Sequence, residues 1–144
     1  MSLDVLLVED NPGDVRLTQE AFRSVNEAVQ LHVAGDGAQA LAFLRQQGDH
    51  RHAPRPALIL LDLNLPGVDG REVLACIKQD DSLNSIPTIV LSQSDSDADV
   101  EAIYQLQANC YVAKPPLSDD LDRIVGRIND FWLRYLKLPE TAKN

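Results

Sequence analysis

Five polar residues stand directly behind short apolar runs: Glu9 and Asp10 after Val5–Val8, Asp62 after Ala57–Leu61, Ser92 after Ile86–Leu91, and Lys114 after Cys110–Ala113. The set holds three carboxylates, one hydroxyl and one amine. Crowded carboxylates cost free energy unless they are paired or share a cation. A hard cation held by oxygen ligands answers that cost, and Mg²⁺ is the usual choice where phosphate is handled. The chemistry suggested is therefore cation-assisted work on an anionic, phosphate-like group, provided the four runs end on one edge.

The runs must be strands for that to happen. Ala57–Leu61 has no polar break, which fits a strand buried on both faces of a parallel sheet. Pro66-Gly67 and Asp69-Gly70 are turn signals that end it and reverse the chain. Taken alone, Asp62 reads equally well as a helix cap; its companions at the other strand ends decide against that. Between the runs lie helical patterns. The first carries Val15, Leu17/Thr18, Phe22 and Val25, with Asp14 as its cap. The second spans 38–47, behind an Asp36 cap, with Ala40, Leu41 and Leu44 inward. The third spans 71–80, with Val73, Leu74 and Ile77 inward, and the fourth 98–108. The last helix begins at a Ser118 cap, runs through Asp119 to Leu136 and presents Leu121, Ile124, Val125, Ile128, Phe131, Trp132, Tyr135 and Leu136. Leu31–Ala34 supplies a fifth strand.

Five strand–helix units in alternation predict an α/β fold, a doubly wound five-stranded parallel sheet with helices on both faces. All strand carboxyl ends then gather on one edge, where such sheets bind ligands. The polar stretch 48–56 reads as a surface loop. Its His50 and His52 lack a third ligand and a fixed geometry, so no metal site is assigned there. His32 reads as a packed strand residue.

Composition narrows the function further. A chain of 144 residues predicts one domain, and 44% hydrophobic content suits a globular core. The net charge of −9 argues against nucleic-acid or anionic-membrane partners. No apolar run is long enough to span a bilayer, and the acidic N-terminus is unlike a signal peptide. Cys76 and Cys110 lack metal-like spacing and read as free thiols, which points to the cytoplasm.

The order Glu9-Asp10, Asp62, Ser92, Lys114-Pro115 resembles the receiver domain of two-component response regulators. The motifs are Asp-x-Asn-x-Pro-Gly from Asp62, a serine closing strand 4, and Tyr-x-x-Lys-Pro from Tyr111. The resemblance covers about residues 4–136 of a single-domain chain 1–144. It implies the flavodoxin-like strand order 2-1-3-4-5. The Ser92–Ser94 run, Asn109–Tyr111 and the long last helix look like the small regulators paired with phytochrome histidine kinases.

The resemblance implies a phosphoacceptor that assists its own chemistry rather than an enzyme. Asp62 would take a phosphoryl group from a sensor histidine kinase. Glu9, Asp10, Asp62 and the backbone carbonyl of Asn64 would hold Mg²⁺. Lys114 would neutralise phosphoryl oxygens, Ser92 would bond the new phosphate, and Tyr111 would switch with it. Gln93 departs from the small residue common there and bears on the lifetime of the phosphorylated state. The aromatic end of the last helix suggests a homodimer built on strand 5 and that helix. Two other readings stay open: a pseudo-receiver binding module, and a Mg²⁺-dependent phosphatase-like enzyme. A phosphatase of the haloacid-dehalogenase type wants Asp-x-Asp after strand 1, where this chain has Pro12 two residues after Asp10.

Overall fold

A computed structural model describes residues 3–92, 97–113 and 118–135. Expectations placed on Gln93, Lys114 and Leu136, and on the side chains of Ser118 and Tyr135, lie outside the described residues.

Five strands, β1 (Leu3–Val8), β2 (Val29–Ala34), β3 (Leu58–Asp62), β4 (Thr88–Ser92) and β5 (Cys110–Ala113), form one sheet. All neighbours pair in parallel, in the order β2-β1-β3-β4-β5. Five helices alternate with them: α1 (Pro12–Val25), α2 (Gly37–Arg45), α3 (Gly70–Gln79), α4 (Asp97–Gln105) and α5 (Ser118–Ile128). The predicted class and strand order both hold.

Side-chain alternation along the strands divides the core into two layers. Leu6, Val8, Ile59, Leu61 and Val90 meet Ala40, Phe43 and Leu44 of α2, Val73, Leu74 and Ile77 of α3, and Ile103 of α4. On the other face Val5, Leu7, Leu58, Leu60 and Ile89 meet Ala21 and Phe22 of α1 and Leu121, Val125 and Ile128 of α5. Burial on both faces is why β3 carries an unbroken apolar run.

Several local expectations need correction. Asn11, not Asp14, caps α1: its side chain accepts the Asp14 N–H at 3.1 Å, and Asp14 falls in the first turn. Pro12 then occupies the first helical position, where no N–H is needed. Val25 is exposed, and Thr18 and Ala21 take the inner face of α1 with Phe22. Phe43 joins the buried set of α2, while Leu41 only packs against it. The stretch 48–56 contains one 3₁₀ turn, Gly48–His50, and is fastened to α2. His50 Nε2 lies 2.9 Å from Gln39 Oε1, and Gln46 Nε2 donates to Ala53 O at 2.7 Å.

The last helix is not uniform. Beyond Ile128 the backbone continues as a π-helix, Asn129–Tyr135, whose wider turns leave the α-helical register of α5. Asn129 is buried there and its Oδ1 accepts from Asn26 Nδ2 at 2.8 Å. Asn26 also caps the end of α1, so the pair ties the two helices together.

Candidate phosphoacceptor and cation site

The sheet register places the carboxylates. Val8 of β1 pairs with Leu61 of β3, so Glu9 leaves the sheet beside Asp62. Asp62 pairs with Leu91 of β4, so Ser92 ends its strand one residue further on. Glu9, Asp62 and Ser92 are all buried, while Asp10 is exposed at the rim. Carboxylate oxygens of Glu9, Asp10 and Asp62 lie within 4.8 Å of one another, and no other such cluster occurs among the described residues.

Local hydrogen bonds fix the acids. The Glu9 N–H donates to Ala34 O at 3.0 Å, which holds the strand end against β2. Glu9 Oε1 accepts the Asn11 N–H at 3.3 Å. Asp62 Oδ1 accepts the Asn64 N–H at 2.9 Å, across a turn just past the strand. The cap of α3 is Asp69, whose side chain accepts the Arg71 N–H at 2.7 Å. Asp62 therefore has no capping duty.

α3 is pressed close to Asp62 itself. A Cβ at Gly70 would stand 2.6 Å from the Asp62 carbonyl oxygen and 2.6 Å from Leu63 Cα, so a side chain there displaces backbone. The sequence signal for Gly70 was a turn; its service as the contact point between α3 and the Asp62 main chain was not legible.

The donor set fits a small divalent cation. Three carboxylates offer hard oxygens at one point, and two of them come from adjacent strand ends that folding has already aligned. Glu9, Asp10 and Asp62 thus come together, and Ser92 ends the neighbouring strand. Asn64 is exposed beside them. Tyr111 sits two strands away on β5, half-buried against the α2–α4 layer, and its N–H donates to the Tyr104 hydroxyl at 3.1 Å. Ser92 pairs with Ala113, the residue before Lys114 in the chain.

A doubly wound parallel sheet with a buried aspartate and two partner acids at its carboxyl edge defines an α/β protein whose site lies where such sheets bind ligands. The comparison with known proteins sharpens this. The family description "Response regulator receiver domain" matches residues 5–126. This chain belongs to that family.

Response regulator Rcp1 of a Synechocystis species is 49% identical over 135 residues, covering 94% of this chain and 92% of Rcp1. The crystal structure of the Mn²⁺-bound form of Rcp1 superposes with a TM-score of 0.90 at 48% identity, covering 96% of this chain and 99% of that one. The phosphorylated cyanobacterial phytochrome response regulator RcpA gives 0.93 at 46% identity, covering 97% and 100%.

Proposed function

We propose that this protein is a cytoplasmic response regulator, one receiver domain with a core of about 4–136, that accepts a phosphoryl group on Asp62 from a sensor histidine kinase. The observation that carries the reading is the buried Asp62 carboxylate, within 4.8 Å of Glu9 and Asp10 at the sheet edge. One Asp62 oxygen is oriented by the Asn64 N–H. In the transfer, an Asp62 oxygen forms a bond to phosphorus as the phosphorus–nitrogen bond of the kinase phosphohistidine breaks, and the departing imidazole takes up a proton.

Glu9, Asp10, Asp62 and the backbone carbonyl of Asn64 would hold Mg²⁺, which supplies charge neutralisation at the phosphoryl oxygens. Lys114 would add a second positive charge, and the Ser92 hydroxyl a hydrogen bond to the new phosphate. Tyr111 would follow Ser92 as the switch residue. The partner class follows from the relatives: RcpA is named a phytochrome response regulator, and we extend that partner to this chain.

The second copy is a further part of the reading. Between β5 and α5 lies an open groove of about 870 Å³ lined by Cys110, Val112, Ile124, Ile128 and Trp132. Phe131 stands at its side and is 60% exposed. In a twofold dimer the exposed Phe131 would supply an aromatic knob beside the groove of each copy. Trp132 is already partly packed on its own domain, so the interface we propose turns on Phe131.

Intact mass after incubation with Mg²⁺ and acetyl phosphate tests the acceptor. The parent gains one phosphoryl mass and Asp62→Asn gains none; a shift that persists in Asp62→Asn rejects the assignment. Sedimentation of the parent and Phe131→Ala tests the copy: a parent that stays monomeric at tens of micromolar, phosphorylated or not, rejects the dimer.

A further inference from the structure

α5 changes its winding where its apolar stripe would continue. Leu121, Val125 and Ile128 are buried and Ile124 partly so, at the three- and four-residue spacing of an α-helix. The same spacing carried on from Ile124 and Ile128 reaches Phe131, which is nonetheless 60% exposed. The π-helix begins at Asn129, between Ile128 and Phe131. Its hydrogen bonds join residues five apart rather than four, so each residue turns the chain by less than the roughly 100° of an α-helix. Such turns are rare, and this one leaves an aromatic side chain in water, so a contact must hold it.

That contact is at the first π residue. Asn129 is 3% exposed, and its Oδ1 accepts from Asn26 Nδ2 at 2.8 Å. The Asn26 amide is held in orientation. Its main-chain N–H donates to Phe22 O at 2.9 Å and its Oδ1 accepts the Ala28 N–H at 3.0 Å, which leaves Nδ2 to face Asn129. Phe131 stands beside the groove that Val112 and Ile124 help to line. An α-helical 129–135 would turn Phe131 toward Ile124 and Ile128, over that groove. Apolar burial favours the α form, and the asparagine pair favours the observed one.

We propose that the Asn26–Asn129 contact is a register lock. It holds residues 129–135 in the π form and keeps Phe131 outward, where a second copy of this chain can take it. Released, the segment closes as α-helix and Phe131 covers its own groove. The part of the second copy rests on the dimer reading of the β5–α5 groove; the lock itself does not. One hydrogen bond of this kind moves a two-state equilibrium roughly two- to tenfold. A copy whose groove is covered by its own Phe131 neither offers the knob nor accepts one, so dimer strength follows the locked fraction.

The test is NMR on the isotope-labelled protein. Couplings across hydrogen bonds show whether the amides of 133–135 pair four residues back or five. NOEs from the Phe131 ring show whether it meets the Val112 and Ile124 methyls. Asn26→Ala and Asn129→Ala are each expected to raise the α-form population roughly two- to tenfold and to gain those NOEs. The double variant adds nothing to either single, because both remove the same bond. Leu60→Ala, which lowers stability without touching the pair, keeps the parent register. Unchanged pairing in both single variants overturns the lock, and so does an equal shift in Leu60→Ala. Sedimentation of the same samples reads the second copy: the two single variants dimerise at least twofold more weakly than the parent. Unaltered dimer strength at a shifted register overturns the presentation of Phe131. A parent that is monomeric at tens of micromolar refutes the dimer reading alone, and the register then decides the lock.

Discussion

β3 and β5 sit two places apart in one sheet and are built on opposite terms. Every residue of β3 is buried, and its terminal Asp62 is held by neighbours on both sides and by α3 beneath it. No residue of β5 is fully buried, α4 beside it is held by end contacts, and α5 turns π-helical at Asn129. Chemistry that depends on alignment within tenths of an ångström gains from the first arrangement. A surface that must rearrange gains from the second, because only weakly packed elements move at low cost. The sheet thus joins a rigid half that holds the acids to a loose half that can report on them.

The largest effect comes from matched truncations in one core layer. Leu60 of β3 is fully buried and Val112 of β5 only partly so. We expect Leu60→Ala to cost about 2–5 kcal/mol and Val112→Ala about 1 kcal/mol. Equal losses by denaturant unfolding would erase the contrast. Next is Asn129→Ala, which removes the acceptor of the part-buried Asn26 amide and costs roughly 1–3 kcal/mol. Trp132, the single tryptophan, lies three residues on, so its acrylamide quenching should change in Asn129→Ala and not in folded Leu60→Ala.

The cation effect is smaller. At tenfold excess over its dissociation constant, Mg²⁺ should stabilise the parent by about 1.4 kcal/mol, and Asp10→Asn should lose most of that gain. An equal rise in Tm for both would put the cation elsewhere.

The smallest effect is at Asp80, after α3. Hydrogen bonds from the Ser82 hydroxyl and N–H hold its carboxyl below the ordinary carboxylate range. A depressed folded value means stability that is present at neutral pH and lost as pH falls through that value. Ser82→Ala should therefore sit within about 0.5 kcal/mol of the parent at pH 7 and converge with it in acid. A gap that widens on acidification would reverse the sign.

The acid site was readable because each member follows a strand, and parallel topology alone brings strand ends together. Asp62, Glu9 and Ser92 needed no long-range information beyond strand order. Asn129 was different. A lone asparagine interrupts an apolar helical pattern and reads as solvent-facing, while its partner Asn26 lies 103 residues away. The cap at Asn11 was missed for a local reason. Asn and Asp are near-equal caps, and Pro12 at the first helical position was the deciding signal. The Arg71–Asp99 pair gave no sign, since an arginine in an α3 turn resembles any solvated charge until Asp99 is placed opposite it.

β1 lies inside the sheet, between β2 and β3, but is made before both strands that flank it. Val5 pairs with Leu31 on one side and with Leu58 on the other. During synthesis at about 5–20 residues per second, the second partner follows the first by roughly one to five seconds. Through that interval β1, α1 and β2 can associate, while the Val5–Val8 ladder still offers one open edge to any passing strand. The interior placement that later buries Glu9 beside Asp62 thus makes the nascent chain most adhesive before β3 arrives. Stalled chains lacking β3 should engage chaperones more than chains that include it.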